Sequence, residues 1–169
     1  RTSLYIHEQN SVVGKVNKTF IKFSNKIFMN FEKEYLNIQK YRNKISVVGL
    51  PQKINVKNLN NKDKNNNNYT FNFLVFAGSQ GSLDILIIFK EIIKNLKKIL
   101  NLKHIYFTIQ APLEKHKEIE KLLKNNGYNC KIEIFFNNFD DILQQTDIVL
   151  CRSGAGTIND LINHKIPAI

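Results

Sequence analysis

Apolar residues recur along this chain in two periods, and the alternation between the periods sketches a fold. Short apolar runs at 4–6, 26–31, 45–49, 71–76, 104–109, 131–136 and 147–150 have the length and composition of strands. Between several of them apolar residues return every three or four positions, the spacing of one helix face. Residues 83–100 give the clearest case, with Ile85, Ile88, Phe89, Ile92, Leu96 and Ile99 on the expected buried face. Residues 114–125 form a second helix, closed by Gly127, and 140–145 a short third. Val16, Phe20, Ile21 and Phe23 alternate with Lys15, Lys18, Lys22 and Lys26, which predicts a basic amphipathic helix over 14–25. That helix either packs on a sheet with its lysines in solvent or lies on an anionic bilayer. Strands separated by helices of this length imply a parallel, doubly wound α/β sheet.

The last of these units carries the most chemistry. Ile148, Val149 and Leu150 lead into Ser153, Gly154, Ala155 and Gly156, and an apolar pattern resumes at Ile158, Leu161 and Ile162. The order is strand, tight loop, helix. Small residues at such a turn let a ligand approach the backbone, where the first turn of the helix presents unpaired N–H groups and a partial positive charge. Asp160, one turn further on, is placed to hold a pair of hydroxyls. A plain strand-to-helix turn without a ligand has the same local pattern. The loops at 77–82, 135–139 and 151–157 gather at one sheet edge, where open α/β sheets bind ligands. His7, Glu8, Gln9 and Asn10 follow the first strand and suit the mouth of a cleft.

A formal charge of +11 favours phosphates, nucleic acid or an anionic membrane surface. The phenylalanines fall mainly at core positions rather than on an exposed basic sheet face, so no nucleic-acid partner is expected. Cys130 and Cys151 lack metal-ligand spacing, and a reduced cytosolic protein without metal or cofactor is the default. No apolar run approaches the roughly 20 residues of a bilayer span. Residues 57–69, rich in Asn and Lys, read as a disordered linker or insertion between domains at 1–56 and 70–169. Both ends fall in apolar runs, which reads as an internal piece of a longer protein, inactive alone.

Four stretches in order, HEQNSVVGKVNK from His7, VVGLP from Val47, FAGSQGS from Phe76 and DIVLCRSGAGTINDLINHKIPAI from Asp147, resemble the MurG family. These bacterial enzymes transfer N-acetylglucosamine (GlcNAc) to lipid I, making lipid II for peptidoglycan. The resemblance implies a GT-B type glycosyltransferase, with 1–56 the end of the acceptor and membrane lobe and 70–169 most of the UDP-GlcNAc lobe, truncated. It implies UDP-GlcNAc, lipid I and an anionic membrane surface as partners, and a peripheral position on the cytoplasmic face of the plasma membrane. By motif, Asn10 would contact the transferred sugar or the acceptor, and Lys53 the diphosphate. Ser79 and Gln80 would contact the diphosphate and sugar, and the backbone at Phe136 would read uracil. Ala155, Gly156 and Thr157 would offer main-chain groups to the diphosphate and GlcNAc, and Asp160 would hold the ribose hydroxyls. Lys53 stands where the family has arginine, Asn137 and Asn138 replace an aspartate pair, and Asp160 replaces glutamate. The family's candidate base, a histidine in a glycine-rich loop, would precede Arg1, so no catalytic residue is assigned. His7 and Glu8 are either acid-base groups or loop braces. A nucleotide-sugar-binding subunit of a split transferase and a non-catalytic remnant remain the alternatives.

Overall fold

A computed structural model describes residues 2–32, 36–51, 70–77, 83–99 and 104–169. The expected linker at 57–69 lies outside them. The chain divides into two compact units, Arg1–Asn55 and Val56–Ile169.

In the first unit β1 (Tyr5–Glu8), β2 (Lys26–Met29) and β3 (Ile45–Val47) pair in parallel, in that order. Period-two alternation sends Ile6, Ile27 and Met29 into a small core with Val13, Ile21 and Ile38. The helix expected over 14–25 is only half realised. α1 (Lys15–Phe20) runs six residues and then tightens into a 3-10 turn at Ile21–Phe23. Ser24 ends it, its buried hydroxyl donating to Ile21 O at 2.8 Å in place of a further helical bond. The tighter winding turns Ile21 inward, to 1 % exposure, while Phe20 and Phe23 stay in solvent. Leu36–Lys44 winds in 3-10 turns that no apolar period announced.

The second unit alternates strictly: β4 (Phe71–Phe76), α2 (Leu83–Ile99), β5 (Ile105–Gln110), α3 (Leu113–Asn125), β6 (Asn129–Glu133), α4 (Phe139–Gln145), β7 (Ile148–Cys151) and α5 (Ala155–His164). All pairings are parallel and the spatial order is β6-β5-β4-β7. A parallel sheet is covered on both faces, and β4 shows it by burying four residues in succession. Phe73 and Val75 face the α2 and α3 side, where Phe89, Phe107, Ile119 and Leu123 are fully buried. Leu74 and Phe76 face the other side, with Phe136, Leu143, Val149 and Leu161.

Two expectations need correcting. Ile88, assigned to the buried face of α2, is 48 % exposed, and Leu86 and Ile93 are buried instead. Residues 85–88 are all apolar and cover most of a turn, so contact with the sheet, not the pattern, selects the stripe. β6 begins and ends earlier than the run at 131–136. Its partner β5 stops at Gln110, opposite Glu133, and Ala111 N closes the edge by donating to Glu133 O at 3.0 Å. Ile134 and Phe135 therefore stand exposed, while Phe136 turns under the sheet, 4 % exposed.

Candidate functional site

β5 and β6 lie on one side of β4 and β7 on the other. The chain thus reverses direction across the sheet between β4 and β7, and a crevice opens beyond their carboxyl ends, the usual ligand position in such folds. α5 begins there. Gly154 is its N-cap, extended at φ −67° and ψ 145°, with no side-chain cap and no acidic residue in the first turn. The first intrahelical bond recorded runs from Ile158 N to Gly154 O at 2.9 Å, so the N–H groups of Ala155, Gly156 and Thr157 precede the ladder and point out of the helix end. A Cβ on Gly156 would meet nothing within 4 Å. The helix end is open, uncapped and electropositive, a state that favours an anionic oxygen over an apolar group.

Phe136 and Asp160 come to the same side of the sheet as this helix end. Phe136 packs in the cluster that holds Leu161, and its ring stacks on Phe139 at 6.3 Å and 14°. Phe139 in turn meets Phe76 edge to face at 4.9 Å. These contacts fix the loop before α4, whose first turn carries Asp140 and Asp141. Asp160 is half-buried. Burial first, and then the like charge of Asp140, push its carboxyl above the ordinary aspartate value, with His164 offsetting part of the rise. Asp160 is therefore an acceptor held close to a second carboxylate. Burial pushes the thiol of Cys151, at the end of β7, above its ordinary value, which lowers its thiolate fraction.

In the first unit the polar loop after β1 closes on itself. Glu8, 2 % exposed, accepts hydrogen bonds from Asn10 N (3.0 Å), Asn10 Nδ2 (3.2 Å), Gly14 N (2.8 Å) and Asn17 Nδ2 (2.8 Å). Burial raises its pKa, and those four bonds outweigh burial, so the group lies below the ordinary glutamate value. His7 Nε2 donates to Gly49 O at 3.1 Å, tying β1 to a turn in which Gly49 has φ +75°, a conformation glycine adopts without strain. Of the two roles open to His7 and Glu8 from sequence, both show bracing bonds. His7, Glu8, Asn10, Lys15 and Asn17 line an open cleft of about 340 Å³.

The sequence-assigned residues thus fall in two groups. Phe136, Ala155, Gly156, Thr157 and Asp160 share one side of the second unit, and Asn10 belongs to the first. Lys53, Ser79 and Gln80 lie outside the described residues. Two neighbours were missed. Asn17, in the first turn of α1, follows Gly14 by three residues, and that spacing after a buried acid was its only signal. Asp140 is twenty positions from Asp160 and joined to it only through the packing of α4 on α5, which no local pattern reveals.

The second unit is a doubly wound parallel lobe with a bare helix N-terminus at its switch point, the architecture of one lobe of a GT-B type glycosyltransferase fold. The model of the glycosyltransferase family 28 C-terminal domain matches residues 72–169, and the chain belongs to that family. It is 34 % identical over its whole length to the UDP-N-acetylglucosamine–N-acetylmuramyl-(pentapeptide) pyrophosphoryl-undecaprenol N-acetylglucosamine transferase of Rickettsia bellii, covering 48 % of that protein. The transferase of the same name from Francisella tularensis subsp. tularensis is 32 % identical over 97 % of this chain and 45 % of its own. The crystal structure of Acinetobacter baumannii MurG superposes with a TM-score of 0.69 at 18 % identity, covering 98 % of this chain and 45 % of that one. The chain spans about half the length of these relatives.

Proposed function

We propose that this chain belongs to an inverting hexosyltransferase that moves GlcNAc from UDP-GlcNAc to lipid I in peptidoglycan synthesis, and that the second unit binds the nucleotide sugar. The acceptor hydroxyl attacks the anomeric carbon as a general base takes its proton, the bond from that carbon to the diphosphate oxygen breaks, and UDP leaves with the electron pair. Charge accumulates on the departing diphosphate. The N–H groups of Ala155, Gly156 and Thr157 are oriented before the reaction begins, so they stabilise that charge without reorganising. Asp160 accepts from the ribose hydroxyls and the backbone at Phe136 receives the uracil edge. Lys53, Ser79 and Gln80 complete the phosphate and sugar contacts by family resemblance. Asn10, in the first unit, meets the transferred sugar or the acceptor. The open α5 N-terminus at the switch point, within the segment that matches the family, carries this reading.

The first unit is the membrane-facing one in this proposal. Val16, Phe20 and Phe23 are exposed at 69 %, 48 % and 63 %, among Lys15, Lys18 and Lys22. Lys22 Nζ lies 4.7 Å from the centre of the Phe23 ring, and that pair can approach lipid headgroups together. Ile21 takes no part, being buried. Among the described residues no helix is long and apolar enough to cross a membrane, and the attachment proposed through this face is a peripheral one. The test is transfer of labelled GlcNAc from UDP-GlcNAc to lipid I by the full-length protein. Formation of labelled lipid II supports the proposal, and labelled product on a different acceptor only would replace it.

A further inference from the structure

Glu8 is a buried carboxylate whose partners are N–H groups. Among the described residues no cation pairs with it. Oε1 accepts from the Asn10 main chain and from Asn10 Nδ2, while Oε2 accepts from Gly14 N and Asn17 Nδ2. Asn17 Nδ2 also reaches His7 O at 3.4 Å. An ionised carboxylate has no proton to give, so each side-chain amide that touches it must present nitrogen. Turned over, either asparagine would set its carbonyl oxygen against a carboxylate oxygen at the same separation, oxygen on oxygen. The amide orientation of both residues is therefore settled by Glu8. Glu8 and His7 O engage both N–H groups of Asn17 Nδ2, and Glu8 engages one of the two on Asn10 Nδ2; Asn10 Oδ1 and Asn17 Oδ1 are left over, and no donor among the described residues is recorded on either. Both residues line the open cleft beside Lys15.

We propose that Glu8 is a positioning residue that sets the sense of hydrogen bonding in this cleft. It takes the amide N–H groups of Asn10 and Asn17 and leaves their carbonyl oxygens to receive a ligand whose contacting groups are donors, the hydroxyls or amide N–H of a sugar. This rests on the reading that Asn10 meets a sugar, and it adds which way the hydrogen bonds run. A phosphate, which carries acceptors, is repelled at those two oxygens and finds Lys15 as its partner instead. Replacing Glu8 by glutamine removes the constraint on one side. A carboxamide has one accepting atom, so its NH₂ must face either the Asn10 pair of donors or the Gly14 and Asn17 pair, and the asparagine it faces is released to turn over.

The test has two arms on the full-length protein, both read by NMR from the side-chain amides of Asn10 and Asn17. In the wild type these NH₂ groups should exchange with solvent at least tenfold more slowly than that of Asn25, whose recorded bond to Leu4 N uses its oxygen and leaves its nitrogen free. In Glu8→Gln, with folding checked by thermal unfolding, at least one should lose that protection. Exchange in the wild type as fast as at Asn25 would overturn the proposal without any variant, as would unchanged protection in Glu8→Gln. In the second arm, methyl N-acetylglucosaminide should shift both amides, and its counterpart methylated on every hydroxyl and on the amide nitrogen, which keeps its oxygens but has no donors, should bind at least tenfold more weakly. Equal binding of the two overturns the assigned sense of the hydrogen bonds. No shift with either sugar refutes the sugar reading of Asn10, and the ligand half of this proposal with it, while the exchange arm still decides whether Glu8 positions the amides.

Discussion

Removal of the Asp160 carboxylate tests whether the second unit holds a ribose there. Asp160 is half-buried on α5, its pKa raised by burial and by the neighbouring Asp140. A hydrogen bond to a charged acceptor contributes about 1.5–3 kcal/mol. Asp160→Ala should then weaken UDP-GlcNAc binding by roughly ten- to a hundredfold, since about 1.4 kcal/mol is tenfold. Asp140 modifies this. Its charge disfavours the ionised form of Asp160, which is the accepting form, so Asp140→Asn should lower the pKa of Asp160 and extend tight binding to lower pH. The sign follows from protonation: affinity falls as pH drops through the raised pKa of Asp160, and the variant moves that fall downward. Stability moves with it, because a raised carboxyl pKa in the folded state makes folding less favourable as pH rises past the unfolded value. Titration calorimetry across pH 4 to 8 with UDP-GlcNAc, on parent, Asp160→Ala and Asp140→Asn, reads all three. Parent-like affinity in Asp160→Ala would refute the ribose assignment. An unmoved pH midpoint in Asp140→Asn would refute the electrostatic coupling.

Three further outcomes follow from particular contacts. Lys165 ends α5 in the left-handed region, at φ 54°, with Ile166 N donating to Leu161 O at 3.0 Å and Lys165 N to Ile162 O at 3.1 Å, a cap that glycine fills without strain. Lys165→Gly should stabilise the protein by about 1 kcal/mol, read as a rise in the denaturation midpoint; a fall would show that the lysine side chain matters more than the backbone strain. Glu8 should contribute stability above its unfolded pKa that is lost as pH falls through its lowered folded value, so Glu8→Gln should flatten the acid limb of the unfolding curve, and an unchanged acid limb would sink this. Charge reversal at Lys18 and Lys22 together should weaken binding to anionic vesicles, each lysine being worth about 1 kcal/mol at low salt. Unchanged co-sedimentation would leave those lysines a solvated face.

The strand and helix order of the second unit was legible because β4, β5 and β7 are apolar runs and α2 carries a clear helical period, whereas β6, Asn129–Glu133, is mostly polar and only overlaps the apolar run at 131–136. What the sequence hid was the choice among equivalent faces. The four consecutive apolar residues at 85–88 leave the buried stripe of α2 undetermined, and only the sheet excludes Ile88. The end of β6 at Glu133 depends on where β5 stops, at Gln110, a fact held 23 positions away. Ile21 was grouped with Phe20 and Phe23 on one apolar helix face, and the 3-10 turn ending at Ser24 separates them, burying Ile21 and leaving both phenylalanines exposed. At the site, the small residues from Gly154 to Gly156 announced an open helix end, because lack of bulk is a local property. The coupling of Asp140 to Asp160 and the gathering of Asn10, Gly14 and Asn17 around Glu8 were not visible, since both require the chain to be folded before the partners meet.

The central claim is that the second unit binds UDP-GlcNAc at the α5 N-terminus, and it is tested most directly by mapping that ligand on the full-length protein with backbone amide NMR. Binding should move the amides of Phe136, Ala155, Gly156 and Thr157 together, with one saturation midpoint, and UDP alone should move Phe136 and Ala155 in the same direction. Saturable binding that leaves Ala155, Gly156 and Thr157 unmoved, or no binding at millimolar UDP-GlcNAc, would contradict it.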